Sequence, residues 1–176
     1  SAVGTLRLEF LIASRALMGF RSEFMTMTRG TGIMYQTFYE YQPFRGELPG
    51  RQWGVQISQS AGNALSYSLN SLQDRGELFV KVDDDLYEGM IVGVNNKGQD
   101  LTVNAIKGKK LTNMRAAGSD DAITLTPPRE MTLEFALEFI EDDELVEVTP
   151  KNIRLRKRYL TENERKVLSR RSGSKE

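Results

Sequence analysis

Neither cysteine nor histidine occurs among the 176 residues. The first absence excludes disulfides and thiolate-bound metals; the second removes the commonest general base and metal ligand. Together they exclude Ser-His-Asp, Cys-His and His-rich zinc chemistry, and no catalytic or metal-ligating residue is expected. No apolar run is long enough to cross a bilayer, and the first residues carry no secretory pattern. A phosphate-cradling Gly-x-x-x-x-Gly-Lys-Ser/Thr loop is also missing. Residues 96–100, NKGQD, resemble the guanine-reading Asn-Lys-x-Asp pattern, but the spacing is one residue too long and the segment reads as a loop. The acids Asp83, Asp84 and Asp85 lack the regular ligand spacing of a calcium loop and read as a solvated turn. A chain with so little reactive chemistry is expected to act by contact.

What is present is a foldable chain with an uneven charge. Hydrophobic residues make up 39%, an ordinary value for a folded protein, and the length holds one large domain or two small ones. Net charge is zero. Residues 151–176 nevertheless carry ten Lys/Arg and three Glu, a local +7, against −7 for the other 150 residues. Such asymmetry fits a basic end that meets a polyanion, or a solvated helical tail.

The pattern predicts an α+β chain. Leu6, Leu8, Phe10 and Ile12 alternate as a strand over 5–12. A helix is expected from Ser14 to Thr28, with Leu17, Phe20, Phe24 and Met27 as its apolar stripe and Gly30 supplying the cap geometry. A second, aromatic-rich strand follows over 33–41. Two strands and one helix make half of a ferredoxin-like α/β domain, which cannot bury both sides of its sheet, so an amino-terminal complement is expected. Pro43, Gly46, Pro49 and Gly50 mark a boundary, giving domains over 1–45 and 46–176.

The second domain reads as β-rich with a few short helices. A hairpin is the first choice over 55–69, with a helix over 64–72 as the alternative. Short strands are expected at 78–80, 90–94 and 101–103. Thr132 caps a helix to about Glu141, with Leu133, Ala136, Leu137 and Ile140 expected inward. Asp142, Asp143 and Glu144 then stand at its carboxy end, where the dipole disfavours each by about 0.3–1 kcal/mol. They are therefore either fully solvated or offset by cations, with the 154–158 run as a candidate. Strands at 145–149 and 153–156 flank a turn at Pro150, and Thr161 with Glu164 forms a capping box for a last helix, fraying after Arg171.

Two clusters concentrate the cations. Lys107, Lys109, Lys110 and Arg115 fall within nine residues, among Thr112, Asn113, Ser119 and the small Ala116, Ala117 and Gly118. Lysine offers a mobile point charge for phosphate, arginine a planar fork that also stacks on bases. In the second cluster, strand alternation puts Arg154, Arg156 and Arg158 on one face and Leu155, Lys157 and Tyr159 on the other. A row of guanidinium groups suits a phosphate backbone; pairing with the acids at 141–144 is the competing reading, and both can hold for different residues.

At these clusters the text resembles the carboxy-terminal domain of the TypA/BipA family of translational GTPases. The runs are KKLTNMRAAGSD (109–120), LEFIEDDELVEVTP (137–150) and IRLRKR (153–158), with LQDRG (72–76) and YEGMIVG (87–93) adding to them. Upstream, GFRSEF (19–24) and TRGTG (28–32) resemble the second half of the domain shared with elongation factor G. The likeness runs across nearly the whole chain. Trp53 departs from it, standing before Gly54 where the family commonly has a polar residue, and Ala16 replaces a usual glycine.

The resemblance implies a ribosome-dependent GTPase linked to stress adaptation and large-subunit assembly, in a bacterial or plastid setting. GTP and Mg²⁺ would sit in amino-terminal domains absent here, leaving this region without cofactor, small-molecule substrate or membrane attachment, as a cytoplasmic, ribosome-associated monomer. The first domain would lie near the stalk base. The loop around residues 112–120 would reach toward the peptidyl-transferase region of 23S rRNA and the acceptor end of A-site tRNA. Lys109, Lys110, Asn113 and Arg115 are the first candidates for RNA contact, joined by Thr112 and Ser119, with Lys107, Arg154, Arg156, Lys157 and Arg158 behind them. The alternative is a protein-interaction domain that docks a ribosomal protein or assembly factor through the acidic helix end.

Overall fold

The computed structural model describes residues 4, 6–17, 19–44, 46, 50–108 and 123–172. They fall into two compact units, Ser1–Pro49 and Gly50–Glu176. In the first, a single 3-10 turn, Ser14–Leu17, precedes helix α1, Phe20–Met27. The expected continuous helix is broken at Gly19, whose φ of 80° is the left-handed conformation that glycine adopts without a Cβ penalty. At the other end of α1, Arg29 donates to the Thr26 carbonyl and Gly30 to that of Met25. This is a Schellman closure in which the left-handed C′ position falls on Arg29, with Gly30 one residue later.

The strands expected over 5–12 and 33–41 do not form: every described residue there is outside regular secondary structure. Leu6, Phe10 and Tyr35 are 81%, 79% and 90% exposed. Alternation marks a face, but a strand also needs a neighbour to take its backbone hydrogen bonds and a layer to cover that face.

The second unit is built on a mixed sheet. Its elements are β1 (Gly54–Ser58), β2 (Gly62–Asn63), α2 (Ser66–Gln73), β3 (Asp85–Leu86), β4 (Met90–Asn95), β5 (Leu101–Val103), α3 (Leu133–Phe139), β6 (Glu144–Val148), β7 (Ile153–Lys157) and α4 (Glu162–Ser172). Five strands order as β5-β1-β4-β7-β6, and β2 pairs with β3 apart from them. Only β1 and β5 run parallel within the larger sheet.

Pleat alternation splits the core between the two faces. Met90 and Val92 of β4 join Leu69 and Leu72 of α2, with Leu78, Val80 and Val103. On the other face Ile91 joins Val55, Ile57 and Leu155 against Ala136 of α3. Each fully buried side chain of this size contributes about 1.5–3 kcal/mol relative to exposure.

Three expectations change here. Residues 66–73 are helical rather than half of a hairpin, because Leu69 and Leu72, three apart, both reach the core while Tyr67 stays 43% exposed. Residues 78–80 make only an isolated bridge, Leu78 to Gly93. In α3, Thr132 caps as expected by accepting from the Phe135 amide at 3.2 Å. Its covered side, however, is Phe135, Ala136 and Phe139, leaving Leu133 and Leu137 exposed. The aromatic rings of Phe79, Phe135 and Phe139 pack with centroids 5.3–5.7 Å apart, and that contact sets the rotation of the helix. The Thr161–Glu164 capping box forms reciprocally at α4.

Candidate nucleic-acid interface

Charges on the second unit sort into an internal set and a surface set. The internal set gathers where α3 meets β6. Glu144 follows the turn that ends α3, and its side chain is fully buried. Arg51 grips it with two bonds, 2.8 and 3.1 Å, and donates also to the Phe139 carbonyl at 2.8 Å. The Arg51 guanidinium lies 4.2 Å from the Phe139 ring centroid. Cross-strand pairing sets Lys157 opposite Glu144, and the lysine ammonium meets Asp100 at 2.6 Å, Asp143 at 2.9 Å and Glu144 at 3.0 Å.

Of the acids that local helix physics disfavours, Asp143 and Glu144 are therefore offset by cations and Asp142 is solvated, so each of the two readings of the sequence holds for part of the cluster. Burial alone would raise the Glu144 pKa, but the Arg51 hydrogen bond and the Lys157 charge outweigh it and hold the group below the usual carboxylate range. Burial alone would lower Lys157, but its bonds to Asp100 and Asp143 and the charge of Glu144 hold it above the ordinary lysine value. Arg51 is likewise raised, burial being outweighed by its bond to Glu144.

This network corrects one expectation and bears on another. Lys157 is not available to RNA: its side chain is 3% exposed and its ammonium is spent on three carboxylates. The acidic helix end is divided: Glu144 is inside, Asp143 is paired with Lys157 yet exposed, and Asp142 is exposed. Arg51, which closes the network, gave no signal in the sequence. It stands some 90 positions before its partners, and nothing local marks it.

The surface set is different. Arg158 and Lys107 are exposed, and Arg154 and Arg156 are half-buried on β7. None of the four forms an ion pair among the described residues. Arg154 lies across from Glu147 in the hairpin register, but the Glu147 carboxylate accepts the Tyr87 hydroxyl. Burial and that bond push the Tyr87 phenol above the ordinary tyrosine range. Lys109, Lys110, Thr112, Asn113, Arg115 and Ser119 lie outside the described residues.

The ends of the segment that carries them are fixed to α2. On the way out, the Ser68 hydroxyl donates to the Lys107 carbonyl and the Leu65 amide to Ala105 at 3.0 Å. On the return, Gln73 donates to the Thr124 carbonyl at 3.1 Å and accepts from the Thr126 amide at 2.9 Å. One eight-residue helix thus anchors both feet of the cationic stretch.

Beside the return foot lie two adjoining grooves. The first, about 390 Å³, is lined by Gln73, Gly76, Asn96, Thr126 and Pro127 among others. The second, about 380 Å³, runs between Trp53, Arg51, Arg129, Phe135 and Phe139. Glu77 and Asn96 line both.

Comparison with known proteins bears on the same chain. Residues 53–162 match the model of the TypA/BipA C-terminal domain, and residues 2–52 match that of the elongation factor G C-terminus. A large ribosomal subunit assembly factor BipA from Escherichia coli (strain K12) is 58% identical over 168 residues, 95% of this chain and 28% of that protein. The proteins of that name from Salmonella typhimurium and Haemophilus influenzae are 57% and 54% identical, over 98% and 97% of this chain and 28% of each relative. The chain thus spans somewhat more than a quarter of the length of the curated relatives it matches. Among the described residues, no helix is long and apolar enough to cross a membrane.

Proposed function

Because this chain belongs to the TypA/BipA family, we propose that it is the ribosome-contacting, RNA-binding carboxy-terminal region of a ribosome-dependent GTPase that serves large-subunit assembly. GTP and Mg²⁺ belong to other domains of the parent, and this region acts in the cytoplasm by placement. Residues 1–45 complete a domain of the elongation factor G type near the stalk base. Residues 46–176 carry the RNA contacts: Lys107, Lys109, Lys110, Thr112, Asn113, Arg115 and Ser119 on the segment rooted at α2, with Arg154, Arg156 and Arg158 on β7. The segment is read as reaching 23S rRNA near the peptidyl-transferase region and the acceptor end of A-site tRNA.

The observation that carries this reading is the sorting of charge. The buried carboxylate is satisfied by Arg51 and Lys157, while Lys107, Arg154, Arg156 and Arg158 have no acidic partner among the described residues. Cations left unpaired at a surface are those a phosphate backbone can use, releasing counterions as it binds. If six phosphates are engaged, the logarithm of the binding constant falls with the logarithm of salt at a slope of about −4 to −5. Large-subunit or 23S rRNA binding is measured across a salt series, for the chain and for a Lys109→Glu, Lys110→Glu, Arg115→Glu variant. The variant is expected to bind more weakly and with a shallower slope. Binding indifferent both to salt and to these reversals refutes the reading.

A further inference from the structure

The groove beside Trp53 has the makings of a stacking site, and none of its residues belongs to the RNA contacts proposed above. Trp53 is 53% exposed on its wall, an unusual setting for the chain's single tryptophan. Its backbone is fixed, because Arg51 donates to the Trp53 carbonyl at 2.7 Å while gripping Glu144. Arg129 lines the same groove, its guanidinium 4.0 Å from the Phe135 ring centroid. A bond of 3.2 Å to Glu77 steadies it, and the Arg129 amide donates to the Leu78 carbonyl at 2.8 Å. Indole and a layered guanidinium are flat, polarisable surfaces of the kind on which unpaired bases stack.

Polar groups meet the same space. Asn96 is exposed there, held by its amide to the Arg75 carbonyl at 2.7 Å, and it offers both a donor and an acceptor to a base edge. Glu77 is the only acid among the lining residues; it would repel a phosphate but can accept from a base N–H. Arg75, whose carbonyl takes that bond, and Lys97, next in sequence to Asn96, are exposed as well and offer charge to a strand's phosphates. The companion groove runs on to Gln73 and Thr126, the return foot of the cationic segment. An RNA strand leaving that segment therefore has a continuous path to Trp53.

We propose that this groove binds one unpaired RNA base, stacked against Trp53 and the Arg129–Phe135 layer, with Asn96 and Glu77 at its polar edge. The inference rests on the RNA-binding reading above and adds a second, base-directed contact that the phosphate-directed cations do not supply.

Tryptophan emission tests it directly, since Trp53 is the sole source. The 176-residue chain is titrated with a short single-stranded RNA of mixed sequence and with the same RNA as a duplex, while RNA anisotropy records binding independently. Single strands are expected to quench Trp53 with the midpoint seen by anisotropy. Trp53→Ala should weaken single-strand binding by about 5- to 150-fold, Trp53→Phe should restore most of it, and duplex binding should be unaltered. If anisotropy shows salt-sensitive binding while Trp53 emission stays constant and Trp53→Ala binds normally, the groove proposal fails and the broader reading survives. If neither RNA binds, the broader reading fails and takes this one with it. Quenching by a basic ribosomal-protein peptide but not by RNA makes the groove a protein contact and also refutes the proposal.

Discussion

Replacing Lys157 by methionine separates the two roles that the sequence left open for the 154–158 run. The methionine keeps most of the volume and removes the ammonium from Asp100, Asp143 and Glu144, which it meets at 2.6, 2.9 and 3.0 Å. Breaking a buried ion pair from one side costs about 3–5 kcal/mol. Here the lower end applies, about 3 kcal/mol, for two reasons. Glu144 keeps both bonds from Arg51, and the Asp100 and Asp143 side chains are 38% and 58% exposed, so water can take over their charge. Glu144→Gln should cost more, about 4–5 kcal/mol, since it weakens the hold on two buried cations at once.

Urea unfolding reads the difference. With a slope of about 1–3 kcal/mol per molar, Lys157→Met should lower the midpoint by about 1–3 M. Without urea, at a temperature where the variant is folded, its RNA affinity should stay within about twofold of the original, because a buried ammonium contacts no phosphate. Arg158→Glu should show the opposite pair of results, an almost unchanged midpoint and weaker RNA binding, as expected of an exposed charge. The reasoning is refuted if Lys157→Met unfolds at the original urea concentration while losing RNA affinity severalfold.

The same network fixes a pH dependence. Glu144 is depressed in the folded chain, so its contribution is complete above its ordinary value of 4.5 and is lost as pH falls through the folded value. Lys157 is raised, so its contribution is complete below its ordinary value of 10.5 and is lost as pH rises through the folded value. Urea midpoints measured across pH should therefore form a plateau between these limits, and Lys157→Met should flatten the alkaline limb. A separate expectation concerns Gly54, where an added Cβ would lie 2.1 Å from the Gln99 carbonyl oxygen. Gly54→Ala should destabilise by about 1–3 kcal/mol through forced displacement of backbone; a melting temperature equal to the original would refute that close approach.

Much of this chain could be read from residue order alone, wherever a preference is local. The caps at Thr132 and Thr161 follow from a hydroxyl reaching an amide three residues on. The β6–β7 hairpin follows from alternation around Pro150, and the family resemblance follows from long runs of matching text. The helix at 66–73 was only half legible, because a short apolar stretch satisfies a period of two nearly as well as one of 3.6 until a partner layer selects between them.

What tertiary structure alone decided is which charges are spent. The pattern Arg-Leu-Arg-Lys-Arg says that Lys157 shares a face with Leu155; it does not say that its ammonium meets Asp100 and the adjacent Asp143 and Glu144, from two other places in the chain. Nor does anything near Arg51 or Trp53 announce that one closes an ion network and the other walls a groove. Coulomb attraction and stacking depend on distance in space, and the chain sets that distance only when sheet pairing brings remote segments together. The stretches 6–12 and 33–41, largely exposed, show the converse: a strand pattern stays a pattern until something lies beside it.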